Sequence, residues 1–352
     1  MTFKDGFEVF NRPDRVVEGW YWALPAQALK RGTVKPVNLM GRELAIYRGQ
    51  DGVAVAMDAY CPHMGAHLAQ GRVEGNALRC LFHDWKYSAD GTCVEVPCLE
   101  RPPHVKVRTW PTAEKYGLIW VWTGDVARQP LPWIPELKED ACDARLGNHF
   151  EKECHPNVVM INAIDAQHFN SVHNLPVNLF LEPTEVNTNA ITFSNTTRVP
   201  DTSMLTRFIG RFYKGPLTYS MTYWYGSTGS VTIGPDFLHF HIIFALRQLA
   251  GGRTEGQTLL VTKARPGVLG WMFNRVLLVL TELVGNYFAK GDTLIFKSIK
   301  FNLQTPIPQD QAIVRFIKHA DAQQTYPWRP EPTGVTPPPP DQREPHAALR
   351  VM

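Results

Sequence analysis

"CPHMGAHLAQGRVEGNALRCLFHDWKY" occupies residues 61–87 and decides how the rest of the chain is read. It holds two pairs, Cys61 with His63 and Cys80 with His83, with sixteen residues between the halves. Thiolates and imidazoles gathered at two loop tips bind metal, because each donates a lone pair to a soft or borderline cation. Two Cys and two His can close a tetrahedron around one zinc, or hold a two-iron cluster with the thiolates on one iron and the imidazoles on the other. Zinc sites usually pair like donors, as C-x2-C with H-x3-5-H. Here each half mixes them, C-x-H and then C-x2-H, which suits a cluster whose two irons differ chemically. Trp85 and Tyr87 follow at once, and "ADG" at 89–91 reads as a tight turn that sends the chain back as a second strand.

This motif resembles that of the Rieske non-haem iron oxygenases, and the resemblance implies a [2Fe-2S] cluster held by Cys61, His63, Cys80 and His83. Respiratory Rieske proteins add a clamping cysteine to each loop, where this chain has Ala66 and Phe82. The oxygenases' usual Pro and Gly around the second histidine are Leu81 and Asp84 here, a departure that bears on the tuning of the cluster.

At 352 residues the chain is far longer than a single domain of about 110 residues. Charged residues make up 20% and the net charge is +3, with no basic run to track phosphates, so nucleic acid is not an expected partner. The opening "MTFKDGFEVFNRPDRVVEGWYW" mixes charge and Pro and does not read as a signal peptide, which makes a reducing cytoplasm the expected compartment. Cys93, Cys98, Cys142 and Cys154 lack the spacing of a disulfide scaffold and read as small buried side chains. The stretch 268–292 is apolar, but Arg275 and Glu282 interrupt it, so a buried or interfacial helix is expected there and no transmembrane span.

From about residue 20 to 150, "VKPVNLM", "ELAIYR", "VAVAMDA" and "LIWVW" read as short strands separated by turns, an all-β module. "RQPLPWIPELKED" at 128–140 reads as a linker. Beyond it come a helical segment at 156–173, strands that include "LTYSMTYWYG" and "DFLHFHIIFAL", a long helical pattern over 267–297, and "AIVRFIKHAD" as a last strand. The expected fold is α+β: an N-terminal all-β Rieske domain (1–140), then an α+β catalytic domain with an antiparallel sheet covered by helices (141–325), then a Pro-rich tail (326–352) read as disordered or a wrapping arm.

A second constellation lies in "NAIDAQHFNSVHNLP", 162–176. On a regular helix Asp165 and His168 share a face, while His168 and His173 point about 140° apart. Both can bind one ion only if the helix distorts or ends between them, and Asn170, Ser171, Asn174 and Pro176 are residues expected near an ending. Taken alone, two histidines here read more readily as capping or core residues than as ligands. The stretch matches the D-x2-H-x4-H pattern of the same oxygenase family. That resemblance implies that His168 and His173 bind a mononuclear Fe(II), completed by a distant carboxylate, for which Asp292 is chosen over Glu282, Asp236 and Asp310. It further implies that Asp165 is no ligand but a hydrogen-bonding bridge from a cluster histidine to His168 across a subunit boundary, hence a homotrimer.

Within the family, "DAQHFNSVHNLPV", "MDAYCPHMGAHLAQGR" and "TAEKYGLIWVW" are most similar to aminopyrrolnitrin oxygenase-like members, which oxidise an aryl amine nitrogen. The function implied is that of the terminal component of a multicomponent monooxygenase acting with O2 on an apolar or aromatic molecule. No G-x-G-x-x-G occurs, so a separate reductase or ferredoxin is the expected electron source. An electron carrier without oxygenation chemistry is the alternative from another class. Phe180, Trp224, Tyr225, Phe240 and Phe244 are candidate pocket residues.

Overall fold

The protein is described from a computed structural model, which covers residues 15–137, 142–173, 180–198 and 213–329 with Arg207 and Arg211. The N-terminal half is built from β1 (Arg15–Val17), β2 (Trp20–Pro25), β3 (Thr33–Leu39), β4 (Arg42–Arg48) and β5 (Ala54–Asp58). The short strands β6 (Arg72–Glu74), β7 (Ala77–Arg79), β8 (Lys86–Tyr87) and β9 (Cys93–Glu95) follow, then β10 (Thr109–Trp110), β11 (Thr112–Lys115) and β12 (Leu118–Trp122). All but β1 form three antiparallel sheets, in the orders β10-β5-β4-β3, β11-β12-β2 and β6-β7-β8-β9. Two hairpins are closed by pairs of residues at positive φ, Met40–Gly41 (51° and 93°) and Tyr116–Gly117 (56° and 78°), the backbone twist that a two-residue turn between strands needs.

Strand β4 shows why the module holds together. Successive side chains on a strand face opposite ways, and both faces of β4 are apolar. Leu44 and Ile46 enter a core with Leu39, Trp110 and Trp328, while Ala45 and Tyr47 enter another with Met57, Cys61, Cys80 and Tyr87. One strand thus ties the general core to the cysteine loops.

The second half starts with β13 (Cys142–Lys152), α1 (Pro156–Asn162) and α2 (Ala166–Ser171). Strands β14 (Glu182–Asn187), β15 (Ala190–Arg198), β16 (Pro216–Trp224), β17 (Thr228–Pro235), β18 (Phe240–Gln248) and β19 (Thr254–Lys263) complete a seven-stranded antiparallel sheet in the order β13-β19-β18-β17-β16-β15-β14. Helices α3 (Gly267–Ser298) and α4 (Gln311–Asp321) cover it, and β20 (Thr325–Pro327) ends the described chain. The fold is the expected one, an all-β module followed by an antiparallel sheet with helices.

Three local expectations need correction. The segment 156–173 is two helices rather than one, broken at Ala163–Asp165. "AIVRFIKHAD" is α4, not a strand: Ala312, Ile313, Phe316, Ile317 and Ala320 are its buried residues, a 3.6-residue spacing that its β-branched and aromatic content disguised. The start of the tail packs. Strand β20 pairs antiparallel with β1, and Trp328, fully buried, donates Nε1–H to the Leu39 carbonyl at 2.6 Å while its own carbonyl accepts from Arg42 Nε at 2.7 Å. Residues 330–352 lie outside the described residues.

Candidate active site

The two loops that carry the cysteine–histidine pairs stand side by side. In the first, the Cys61 amide donates to the Ala66 carbonyl and Gly65, at φ 74°, closes the turn by donating to the Cys61 carbonyl. In the second, the Cys80 amide donates to the Trp85 carbonyl, and Asp84 takes a left-handed φ of 58°. That conformation is the one glycine adopts freely, and it falls at the position where the family resemblance led to an expected Gly. Its cost is offset by contacts: Asp84 Oδ1 pairs with Arg72 at 2.7 Å, and the Asp84 carbonyl accepts from Arg79 Nη1 at 2.8 Å. Arg79, nearly buried, is pinned in turn by Glu74 and Glu95.

The four donors are sorted by depth. Cys61 and Cys80 are buried, with Tyr87 Oη 3.0 Å from Cys61 Sγ, and burial, the largest cause, pushes the Cys80 thiol up. His63 and His83 are exposed, their ring centroids 4.8 Å apart, with His63 stacked flat on Trp85 at 4.5 Å. Thiols inside and imidazoles outside fit a two-iron cluster whose histidine edge faces the surface. All six cysteines are free, and Cys98 is exposed.

The second constellation assembles from three distant pieces of chain. Helix α2 starts at Asp165, whose Oδ1 accepts from the amides of Gln167 and His168 at 3.0 and 3.2 Å. The helix ends at Ser171, between His168 and His173, which frees the second ring to turn toward the first. His168, His173 and Asp292 are all buried, and their ligand atoms lie within 4.8 Å of one another. Asp292 Oδ1 lies 2.7 Å from His168 Nε2 and 3.2 Å from His173 Nε2. His168 Nδ1 faces the Asn162 carbonyl at 3.2 Å, which favours a proton on Nδ1 and a free lone pair on Nε2. Burial, the leading cause, holds His173 below its ordinary pKa and so neutral, the ligating form.

Asp292 does not cap a helix, since it sits well inside α3. Gly291 beside it is what lets α3 close on the site: a Cβ there would lie 3.0 Å from Val172 Cγ1 and 3.3 Å from His173 Cε1. The rival carboxylates do not join the two histidines, although Glu282 lines the same cavity. Glu282 pairs with Arg145, Asp310 accepts from the Ile307 amide and from Gln167, and Asp236 is exposed. Asp165, placed by the sequence on the same helical face as His168, is instead the residue that starts the helix, and its Oδ2 takes no hydrogen bond among the described residues.

These donors lie on the wall of a cavity of about 450 Å³ between α2, α3 and the sheet. Of the five aromatic pocket candidates only Phe244 lines it. Trp224 and Tyr225 are buried in the core with Trp122, Phe180 is exposed, and Phe240 is off the cavity. Among the lining residues missed are, on the sheet, Tyr219 and Met221, Val231 and Ile233, Ile242, Thr258 and Leu260. They sit two apart on neighbouring strands, a period-2 signal on one sheet face that side-chain size had obscured.

Residues 19–111 match the family described as the Rieske [2Fe-2S] domain. The chain is 40% identical over 167 residues to a cholesterol 7-desaturase of Bombyx mori (46% of this chain, 36% of that protein). It is 37% identical over 185 residues to aminopyrrolnitrin oxygenase of Pseudomonas fluorescens (49% and 50%), and 35% over 173 residues to a probable oxygenase component of 3-ketosteroid-9-alpha-monooxygenase of Rhodococcus rhodochrous (47% and 43%). It thus spans half or less of the length of these relatives. Among solved structures, dicamba monooxygenase bound to dicamba matches with a TM-score of 0.59 at 21% identity, over 86% of this chain and 96% of that one. The terminal oxygenase of carbazole 1,9a-dioxygenase from Novosphingobium sp. KA1 matches with 0.66 at 16% identity, over 91% and 96%. The N-terminal module is a Rieske [2Fe-2S] domain. Both halves together share the fold of these oxygenases, and the resemblance to Rieske non-haem iron oxygenases read from the motifs holds.

Proposed function

We propose that this chain is the terminal oxygenase component of a multicomponent Rieske monooxygenase that oxidises an apolar or aromatic small molecule with O2. The observation that carries this reading is the convergence of His168, His173 and Asp292 on the wall of a largely apolar cavity, in a chain that also carries a Rieske domain. Two imidazoles and one carboxylate are the donor set of a non-haem Fe(II) with open positions, which when bound would supply oxygen activation. A solved relative, dicamba monooxygenase, is described with non-heme iron and dicamba.

The protein's own part is positional. The Asn162 carbonyl orients His168, the rings of Phe169 and Phe288 pack against His173, and apolar strand residues keep water from the site. Electrons from a separate reductase or ferredoxin would enter at the exposed His63 and His83 edge. Asp165, with one oxygen capping α2 and the other without a hydrogen bond among the described residues, would receive a cluster histidine of a neighbouring subunit in a homotrimer working in the cytoplasm.

The cavity volume suits a molecule of sterol or bicyclic aromatic size, in line with relatives named for cholesterol and a ketosteroid. An aryl amine is the second reading, motivated by the relative named aminopyrrolnitrin oxygenase. Turnover with a surrogate reductase over sterols, ketosteroids, aryl amines, arenes and methyl ethers, scored by product mass (gain of labelled oxygen, loss of two hydrogens, or loss of methyl as labelled formaldehyde), tests both. Protein loaded with both metals that oxidises no member of any class would overturn the oxygenase reading in favour of a pure electron carrier.

A further inference from the structure

Helix α3 is apolar on two sides. Asn274, Leu277, Leu278 and Thr281 face the sheet, and the buried Asp292 and Phe296 continue that line. At about 100° per residue, Leu269, Met272, Val276, Leu280 and Leu283 form a second stripe roughly opposite the first. Leu269 is 83% exposed, Val276 61% and Leu283 59%. A helix apolar all round belongs in a core, yet no described residue covers this outer stripe.

The charge around it is mostly of one sign, the exception being Asp143, 3.8 Å from the Arg275 guanidinium. Between Arg265 and Thr281 there is no acidic residue, while Lys263, Arg265 and Arg275 flank the stripe. Arg265 lies over the Phe273 ring at 4.6 Å and Arg275 over the Trp271 ring at 5.4 Å, so both cations ride on exposed aromatic surface. The first acid on the helix, Glu282, is already paired with Arg145. A second copy docked here by a two-fold axis would set this cationic face against itself. An anionic lipid surface complements it, with aliphatic side chains below, cations at headgroup level and Trp271 and Tyr287 at the boundary.

We propose that the outer face of α3, from Val268 to Tyr287, docks in the plane of an anionic membrane surface. By length and composition the helix could also cross a bilayer. It lies on the surface rather than across it, because its inner face carries Asn274, Thr281 and Asp292 against the sheet and the cavity. The C-terminal part of the same helix, with Phe288, Ala289, Lys290 and Thr293, walls the cavity. Given the oxygenase reading, docking would put the substrate entrance beside the lipid phase in which an apolar substrate concentrates.

Flotation of the metal-loaded full chain with phosphatidylcholine vesicles, with and without phosphatidylglycerol, tests the docking without any turnover, so its failure is distinct from a failure of the oxygenase reading. The expected result is flotation with the phosphatidylglycerol vesicles, weakened by salt and reduced at least ~tenfold when Leu269, Trp271 and Val276 are all replaced by Gln. Arg265→Glu with Arg275→Glu should reduce it as well while leaving cluster absorbance and iron content unchanged. The proposal is overturned if wild type fails to float with either vesicle, if the Gln variant floats as well as wild type, or if that variant changes the sedimentation mass, which would make the face a protein interface.

Discussion

Asp292 and His168 stand 124 residues apart in sequence, and the Asp292 carboxylate sits 2.7 Å from His168 Nε2 in a buried site. A carboxylate from the longest helix thus closes a pair of histidines set on and just beyond one of the shortest. His168→Ala, His173→Ala or Asp292→Ala should each remove about one iron per chain and lower product formation at least ~100-fold, while the visible spectrum of the cluster stays. Iron analysis beside absorbance reads both, and full iron in all three variants would mean that the site is misassigned.

Asp165 offers a separation of roles. Asn caps helices about as well as Asp, so Asp165→Asn should leave the melting temperature close to wild type, whereas Asp165→Ala should cost about 1 kcal/mol. If Asp165 also bridges to a cluster histidine, the Asn variant should reoxidise its reduced cluster at least ~tenfold more slowly with substrate and O2 present. Stopped-flow absorbance reads this rate, and a wild-type rate would leave Asp165 as a cap alone.

Asp84 occupies a left-handed position on a cluster loop. Asp84→Gly relieves that backbone and loses an ion pair to Arg72 that is exposed and worth under ~1 kcal/mol, so stability and cluster content should hardly change. Asp84→Val keeps the strain, worth roughly 1–2 kcal/mol for a residue bearing a Cβ, and loses the polar contacts. It should melt lower and lose cluster on dialysis, read from the visible absorbance.

His241 is buried in the seven-stranded sheet, its Nδ1 2.9 Å from Thr232 Oγ1, beside His239, which pairs with Glu136. Burial, the largest cause, lowers its pKa from 6.5 to about 4. The unfolded chain therefore takes up this proton before the folded one, so His241 contributes stability that is whole above pH 6.5 and drains away toward pH 4, by up to ~1.4 kcal/mol per pH unit. Urea unfolding between pH 7 and 5 should show that slope, and His241→Gln should flatten it.

Trp328 is fully buried between Leu39 and Arg42, so Trp328→Ala should cost about 3–5 kcal/mol. Chemical denaturation measures it, and a loss under ~1 kcal/mol would show that the segment after β20 merely rests on the module.

What the sequence revealed follows from how local each signal was. The Cys61/His63 and Cys80/His83 pairs and His168 with His173 stood out as candidates because each set lies within a short stretch, and even the helix end between His168 and His173 was foreshadowed by Asn170 and Ser171. Asp292 could be chosen only through resemblance, since nothing nearby marks it except Gly291, whose missing Cβ makes sense only with His173 in place. Choosing pocket residues by aromatic bulk picked out Trp224 and Tyr225, which hold the core, and passed over Tyr219 and Ile242, which strand parity would have found. Trp328 was hidden in a Pro-rich context whose composition spoke against packing.

The pairing of β20 with β1, and the seat of Trp328 beside Leu39 and Arg42, have a consequence for synthesis. The N-terminal module lacks a wall of its core until translation has passed through the whole catalytic half to Trp328. Iron and sulfide inserted early would enter a half-closed vessel, and the return of β20 and Trp328 is what draws it shut.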